Sequence, residues 1–148
     1  VIDLNEIAEM IHESGAAASI ELAYAKYMLG PADMVVNNST TEEIRQAVGT
    51  YVQSAVNCMR AGFDMIMIHG GHGNVPARFF STAINYRSDE YGGSLRNCAR
   101  FATELLEKIR EAVGQAIAIE YRISAEELVP DGTGMAETQE FVKLIEDK

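Results

Sequence analysis

At 148 residues, with 47% of them hydrophobic, the chain has enough apolar mass for one core-bearing domain and is too ordered in composition for a disordered tail. Its formal charge of −10 argues against nucleic acid and anionic membrane surfaces as partners. No apolar run is long enough to span a bilayer and no signal peptide is evident at the N-terminus, so the expected location is cytoplasmic. The two cysteines, Cys58 and Cys98, fit reduced thiols in that compartment.

Residues 1–14 read as a helix, with Asp3 as N-cap, Glu6 completing a capping box, Ile7, Met10 and Ile11 on one face, and Gly15 as the stop. Residues 17–22 read as a short buried strand in which Ser19 and Glu21 share one face and Ile20 and Leu22 the other. Residues 23–39, holding Gly30 and Pro31, are irregular and read as a loop. Thr40 and Glu43 form a second capping box, from which Ile44, Val48, Val52, Ala55, Val56 and Met59 carry a helix to Gly62. An apolar strand follows at residues 65–68, then His69 and His72 on a glycine-rich turn.

Residues 74–93 show no clear period, and a connection of that length inside an α/β unit is usually functional. Ser94 caps a helix with Phe101, Leu105, Ile109 and Val113 on its inner face and Gly114 as its stop. Residues 116–123 form a third strand, ending near Arg122, and a polar loop leads to a last helix facing inward through Phe141, Leu144 and Ile145. The order α-βαβα-βα, with no hairpin signal, predicts parallel strands and right-handed crossovers.

Three strands thus each bring one strong polar group to the same sheet edge: Glu21, His69 and Arg122. Polar strand ends are common singly, and an ion pair of Glu21 and Arg122 with each other or with Glu120 is as natural as a ligand contact. Three together read as a site at the C-terminal face of a parallel barrel or sheet. Gly70, Gly71 and Gly73 would let a planar ligand approach the backbone, while two neutral imidazoles could donate to a carbonyl or nitro oxygen. A zinc site needs three or four ligands, and the one remaining histidine, His12, lies on a different kind of element, so no metal is expected.

The run Ala-Gly-Phe-Asp-Met-Ile-Met-Ile-His-Gly-Gly-His-Gly at residues 61–73 continues through Phe79, Phe80 and Ser81 to residues 85–97, Asn-Tyr-Arg-Ser-Asp-Glu-Tyr-Gly-Gly-Ser-Leu-Arg-Asn, and to Ala99, Arg100 and Phe101. It resembles the Old Yellow Enzyme group of FMN-dependent (β/α)8-barrel oxidoreductases, especially its bacterial NADH:flavin oxidoreductase and dienoyl-CoA reductase relatives. The resemblance implies FMN as cofactor, NADH or NADPH as electron donor, and an unsaturated carbonyl-type small molecule as substrate. It makes His69 and His72 the pair that bonds the substrate's activating oxygen, Arg122 the cation facing the flavin N1 and C2 carbonyl edge, and Glu21 an acceptor for flavin N3–H. Arg87, Asp89, Gly92, Gly93 and Arg100 read as structural, with Arg87 and Asp89 able to pair.

Two departures matter. Asn74 stands at the catalytic position where many members carry the tyrosine that protonates the substrate. An amide is no useful acid, so water or Tyr86 would supply that proton. Cys98 replaces a common arginine. A full barrel needs eight strands and about 250 residues, so the expected architecture is a partial TIM barrel, three parallel β/α units resembling units three to five, within a fragment of a longer reading frame. Its uncovered inner face would meet the remainder of the barrel or a second copy. Two other readings stand beside the ene-reductase: a barrel fragment that cannot hold FMN alone, and a flavin-free, metal-assisted hydrolase or lyase.

Overall fold

The computed structural model describes residues 3–24 and 32–148. Helix α1 (Leu4–Glu13) starts at Asp3, whose backbone N–H donates to Glu6 Oε2 at 3.3 Å. Beyond it Gly15 takes a left-handed φ of 77° and turns the chain into strand β1 (Ser19–Leu22). Helix α2 (Ala32–Asn38) precedes α3 (Thr41–Arg60), whose capping box is complete: Glu43 N–H donates to Thr40 Oγ1 at 3.2 Å and Thr40 N–H to Glu43 Oε2 at 2.9 Å. Strand β2 (Met65–Gly70), helix α4 (Val75–Phe80), the single turn α5 (Leu95–Cys98), α6 (Arg100–Val113), β3 (Ala118–Ile123) and α7 (Met135–Ile145) complete the chain.

The strands form one parallel sheet in the order β1-β2-β3, with Glu21 opposite Met67, Met67 opposite Glu120, and His69 opposite Arg122. Because side chains alternate along each strand, this register sorts them by face. Ile20, Leu22, Ile66, Ile68, Ile119 and Tyr121 turn to the helices, and Ile66 and Ile68 are wholly buried there with Ile44, Val48, Phe101, Leu105 and Ile109 of α3 and α6. Ser19, Glu21, Met65, Met67, His69, Ala118, Glu120 and Arg122 share the opposite face. Glu21, Glu120 and Arg122 are exposed on it. This is one wall of a barrel, its inner face polar. The strand at residues 17–22 is therefore buried on one side only, and Glu21 is on the open side.

Two stretches read as irregular hold helices. Within residues 23–39, positions 25–31 lie outside the described residues, and α2 follows directly. Within residues 74–93, α4 begins at Asn74 with Pro76 in its first turn. The remainder of that second stretch is a knot of specific contacts. The Arg87 guanidinium, nearly buried, donates to Val36 O and Ser39 O, both at 2.7 Å, and makes a two-pronged pair with Asp89. Asn85 Nδ2 donates to Phe79 O at 2.6 Å and Tyr91 O at 2.8 Å. A side chain at Gly92 would overlap the Arg87 backbone. Arg100 Nε donates to Glu90 O at 2.7 Å. These contacts tie the loop to α2, to α4 and to the start of α6, which is the structural role expected of them.

Candidate active site

The two histidines stand at the C-terminal end of the central strand. His69 is the fifth residue of β2 and only 8% exposed, although it lies on the open face, because the His72 ring packs edge-on against it with centroids 5.3 Å apart. Gly71 N–H points to His69 Nδ1 at 3.3 Å. With Nδ1 accepting, the proton of a neutral ring sits on Nε2, which leaves one N–H donor for a ligand. His72 has a left-handed φ of 52°, unusual for a residue with a β-carbon. Its backbone N–H donates to Ser124 Oγ at 3.2 Å, so the residue just past β3 anchors the second histidine. Ser124, one residue beyond the strand, carries no signal of this role in the sequence.

The glycines beside them serve the protein's own packing. A β-carbon at Gly70 would overlap the Tyr121 ring, and one at Gly71 would press on Ser124 Oγ at 3.2 Å and on the adjoining backbone at 3.3 Å. Neither opens a floor for a planar ligand, contrary to the expectation from sequence. Gly73, with φ 72° and nothing within 4 Å, is free of such crowding and is glycine for its backbone angle.

Glu21 and Arg122 meet across β2, with 3.9 Å between the guanidinium and the carboxylate. That is too long for a direct hydrogen bond, so both retain their donor and acceptor positions. Their side chains are 41% and 46% exposed. A pair so exposed contributes about 0–1 kcal/mol, which makes it a poor stability device. On this face a guanidinium with free N–H groups and a carboxylate with free lone pairs match the carbonyl-and-imide edge of a flavin ring. The residues present therefore fit FMN at its pyrimidine edge.

Asn74 occupies the N-cap position of α4 and is 7% exposed. Its Nδ2 donates to Gly71 O at 3.3 Å, while Oδ1 is buried with no hydrogen-bond partner among the described residues. Tyr86 is 72% exposed, with its hydroxyl donating to Ala83 O at 2.6 Å and its N–H to Asn37 Oδ1 at 2.7 Å. His12 lies at the other end of the sheet, 2.7 Å from Asp64 Oδ2. Among the described residues no three His, Cys, Asp or Glu side chains stand close enough to hold a metal ion. Cys58 and Cys98 are free and buried, and burial pushes both thiols above their usual range, away from nucleophilic chemistry. None of the helices described is long and apolar enough to cross a membrane.

The chain is 32% identical to the NADH oxidase of Thermoanaerobacter brockii over an alignment covering 96% of this chain and 25% of that protein. It superposes on histamine dehydrogenase from Rhizobium sp. 4-9 with a TM-score of 0.84 and 34% identity, over 95% of this chain and 24% of that one. Against Old Yellow Enzyme from Pichia sp. AKU4542 the TM-score is 0.80 at 26% identity, over 97% of this chain and 46% of the other. The chain spans about a quarter of the first two proteins and under half of the third. A sequence profile of NADH:flavin oxidoreductases and NADH oxidases matches residues 30–148. Three parallel β/α units of a TIM barrel, joined to that match, place the chain in the NADH:flavin oxidoreductase / NADH oxidase family.

Proposed function

We propose that this chain forms part of an FMN-dependent NAD(P)H oxidoreductase of the ene-reductase type, acting on a small molecule whose alkene is activated by a carbonyl. The observation that carries the reading is the His69–His72 pair, 5.3 Å apart, on the open sheet face and level with Arg122. Bound FMN, once reduced, supplies the hydride. His69 Nε2–H and a ring N–H of His72 donate to the substrate oxygen, drawing charge from the conjugated carbonyl and stabilising the enolate oxygen that develops. Arg122 and Glu21 would hold the polar edge of the ring, the guanidinium as donor to its carbonyl side and the carboxylate as acceptor for its imide N–H. Asn74 ties the histidine turn to Gly71 O. It offers no acid, so the proton for the substrate α-carbon comes from water.

A second reading is that this length of chain cannot retain FMN alone, and the exposure of Glu21, Glu120 and Arg122 on an uncovered inner face favours it. On either reading that face is completed by the rest of a barrel or by a second copy. Both are tested by reconstituting the purified chain with FMN, removing free flavin and recording the visible absorbance. Retained flavin with alkene reduction that falls about 100-fold or more in His69→Ala supports the enzyme reading. A colourless chain supports the second. Stoichiometric zinc lost on His69→Ala would replace both with a metal-assisted hydrolase or lyase.

A further inference from the structure

On the helix side of the sheet, where β3, α4 and the start of α7 meet, lies a cavity. It measures about 40 Å³. A single water needs roughly 10–15 Å³ of such space, so this one takes a ligand of a few heavy atoms. Phe80, Tyr121 and Phe141 wall it, their rings packed with centroids 4.4 and 5.6 Å apart, and Glu126 and Glu127 line it without any lysine or arginine.

Two polar groups are built into it. Glu127 is held in place, because its Oε2 accepts from Ser81 Oγ at 2.8 Å and from Thr133 N–H at 2.9 Å, while Oε1 has no hydrogen bond among the described residues. Thr138, on α7, also lines the cavity and is 4% exposed, with Oγ1 fully buried and without a hydrogen-bond partner among the described residues. A buried hydroxyl left unbonded is costly, so a polar group that enters the cavity beside it is stabilised there.

We infer that this cavity binds a small primary ammonium of methylammonium size, held by Glu127 Oε1 and Thr138 Oγ1 among the three rings. An ammonium head offers three N–H donors to acceptors that have none, its charge matches a carboxylate-lined wall, and its methyl group matches aromatic surroundings that also favour cations. An anion would face two carboxylates. A hard divalent cation would want six or more oxygens, which walls of phenyl rings do not supply. Gly70, Gly73 and Ser124 also line the cavity, so it borders the histidine turn, but neither Glu21 nor Arg122 lines it and the ammonium site needs no flavin.

The test is a titration of the full chain with methylammonium chloride, following the NMR shifts of the Thr138 methyl group and the Phe80 and Phe141 rings, with potassium chloride and methanol as controls. Saturable shifts with methylammonium alone are expected, weakened on the order of tenfold or more by Glu127→Gln and by Thr138→Val, as for loss of a charge-assisted bond. Thr138→Val keeps the shape and removes the unpartnered hydroxyl, so it decides the matter even if Glu127→Gln disturbs the loop. Equal shifts with potassium chloride, undiminished binding by Thr138→Val, or no shifts at all would overturn the site and leave a cavity for water.

Discussion

Gly70 shows how a residue can look functional and be structural. A strand glycine next to a histidine suggests room for a ligand, yet the space beyond its Cα is filled by the Tyr121 ring, which also packs on Phe141 at 5.6 Å. Gly70→Ala is therefore expected to overpack this corner by about 1–3 kcal/mol, seen as a lower urea midpoint with an unchanged m-value. A neutral result would mean that Tyr121 moves aside freely. Ser124 carries the complementary role. Ser124→Ala removes the acceptor that holds His72 N–H, at a net cost of about 0.5–1.5 kcal/mol. The expected readout is faster amide exchange at His72 with Gly15 unaffected, and unchanged exchange would show that the left-handed turn holds itself.

At the scale of elements, the strands and long helices were legible because their apolar period and caps are local properties of the chain. Thr40 with Glu43, and Asp3 with Glu6, fix helix starts within a few residues. Helix α2 was not legible. Its seven residues carry no usable period, and what holds its end is distant in sequence: Asn37 Nδ2 donates to Ile84 O at 2.8 Å, and Arg87 caps Val36 O and Ser39 O. Asp64 was missed for the same reason. Its Oδ2 accepts from Ala18 N–H at 2.7 Å and pairs with His12 at 2.7 Å, while its backbone bonds Ala18 O and Ala118 N–H, so one residue staples α1 and all three strands at the N-terminal end of the sheet. The hydrogen bond with His12, then that with Ala18, holds the Asp64 carboxyl below its ordinary value. A depressed carboxyl contributes stability that is fully present above the unfolded-state value and is lost as pH falls through the folded one. Asp64→Asn should accordingly lower the thermal midpoint at neutral pH, with the gap from the parent chain closing in acid below the usual carboxylate range. A gap that stays constant down to pH 2 would show that the staple does not depend on charge.

Across the whole molecule, the site was readable to the extent that it follows from two-residue alternation. Glu21, His69 and Arg122 share a face because the register pairs Glu21 with Met67 and His69 with Arg122. The surroundings of Asn74 did not follow, because burial of its side chain depends on how α4 folds back on β2. The same open face exposes a charge problem. With a formal charge of −10 the folded chain repels itself, and added salt should raise its thermal midpoint, since charges beyond roughly 10 Å are screened at 0.1 M. Two carboxylates on that face separate the general effect from local pairing. Glu21 has Arg122 at 3.9 Å, whereas Glu120 has no ion-pair partner among the described residues. Glu120→Gln should therefore raise the midpoint at low salt, through a stability gain within about 0.5 kcal/mol, and reduce the salt response. Glu21→Gln, which gives up an attraction along with a repulsion, should do neither. If both variants gain equally, the guanidinium is not engaged with Glu21 in solution and stands free to meet a ligand's carbonyl edge.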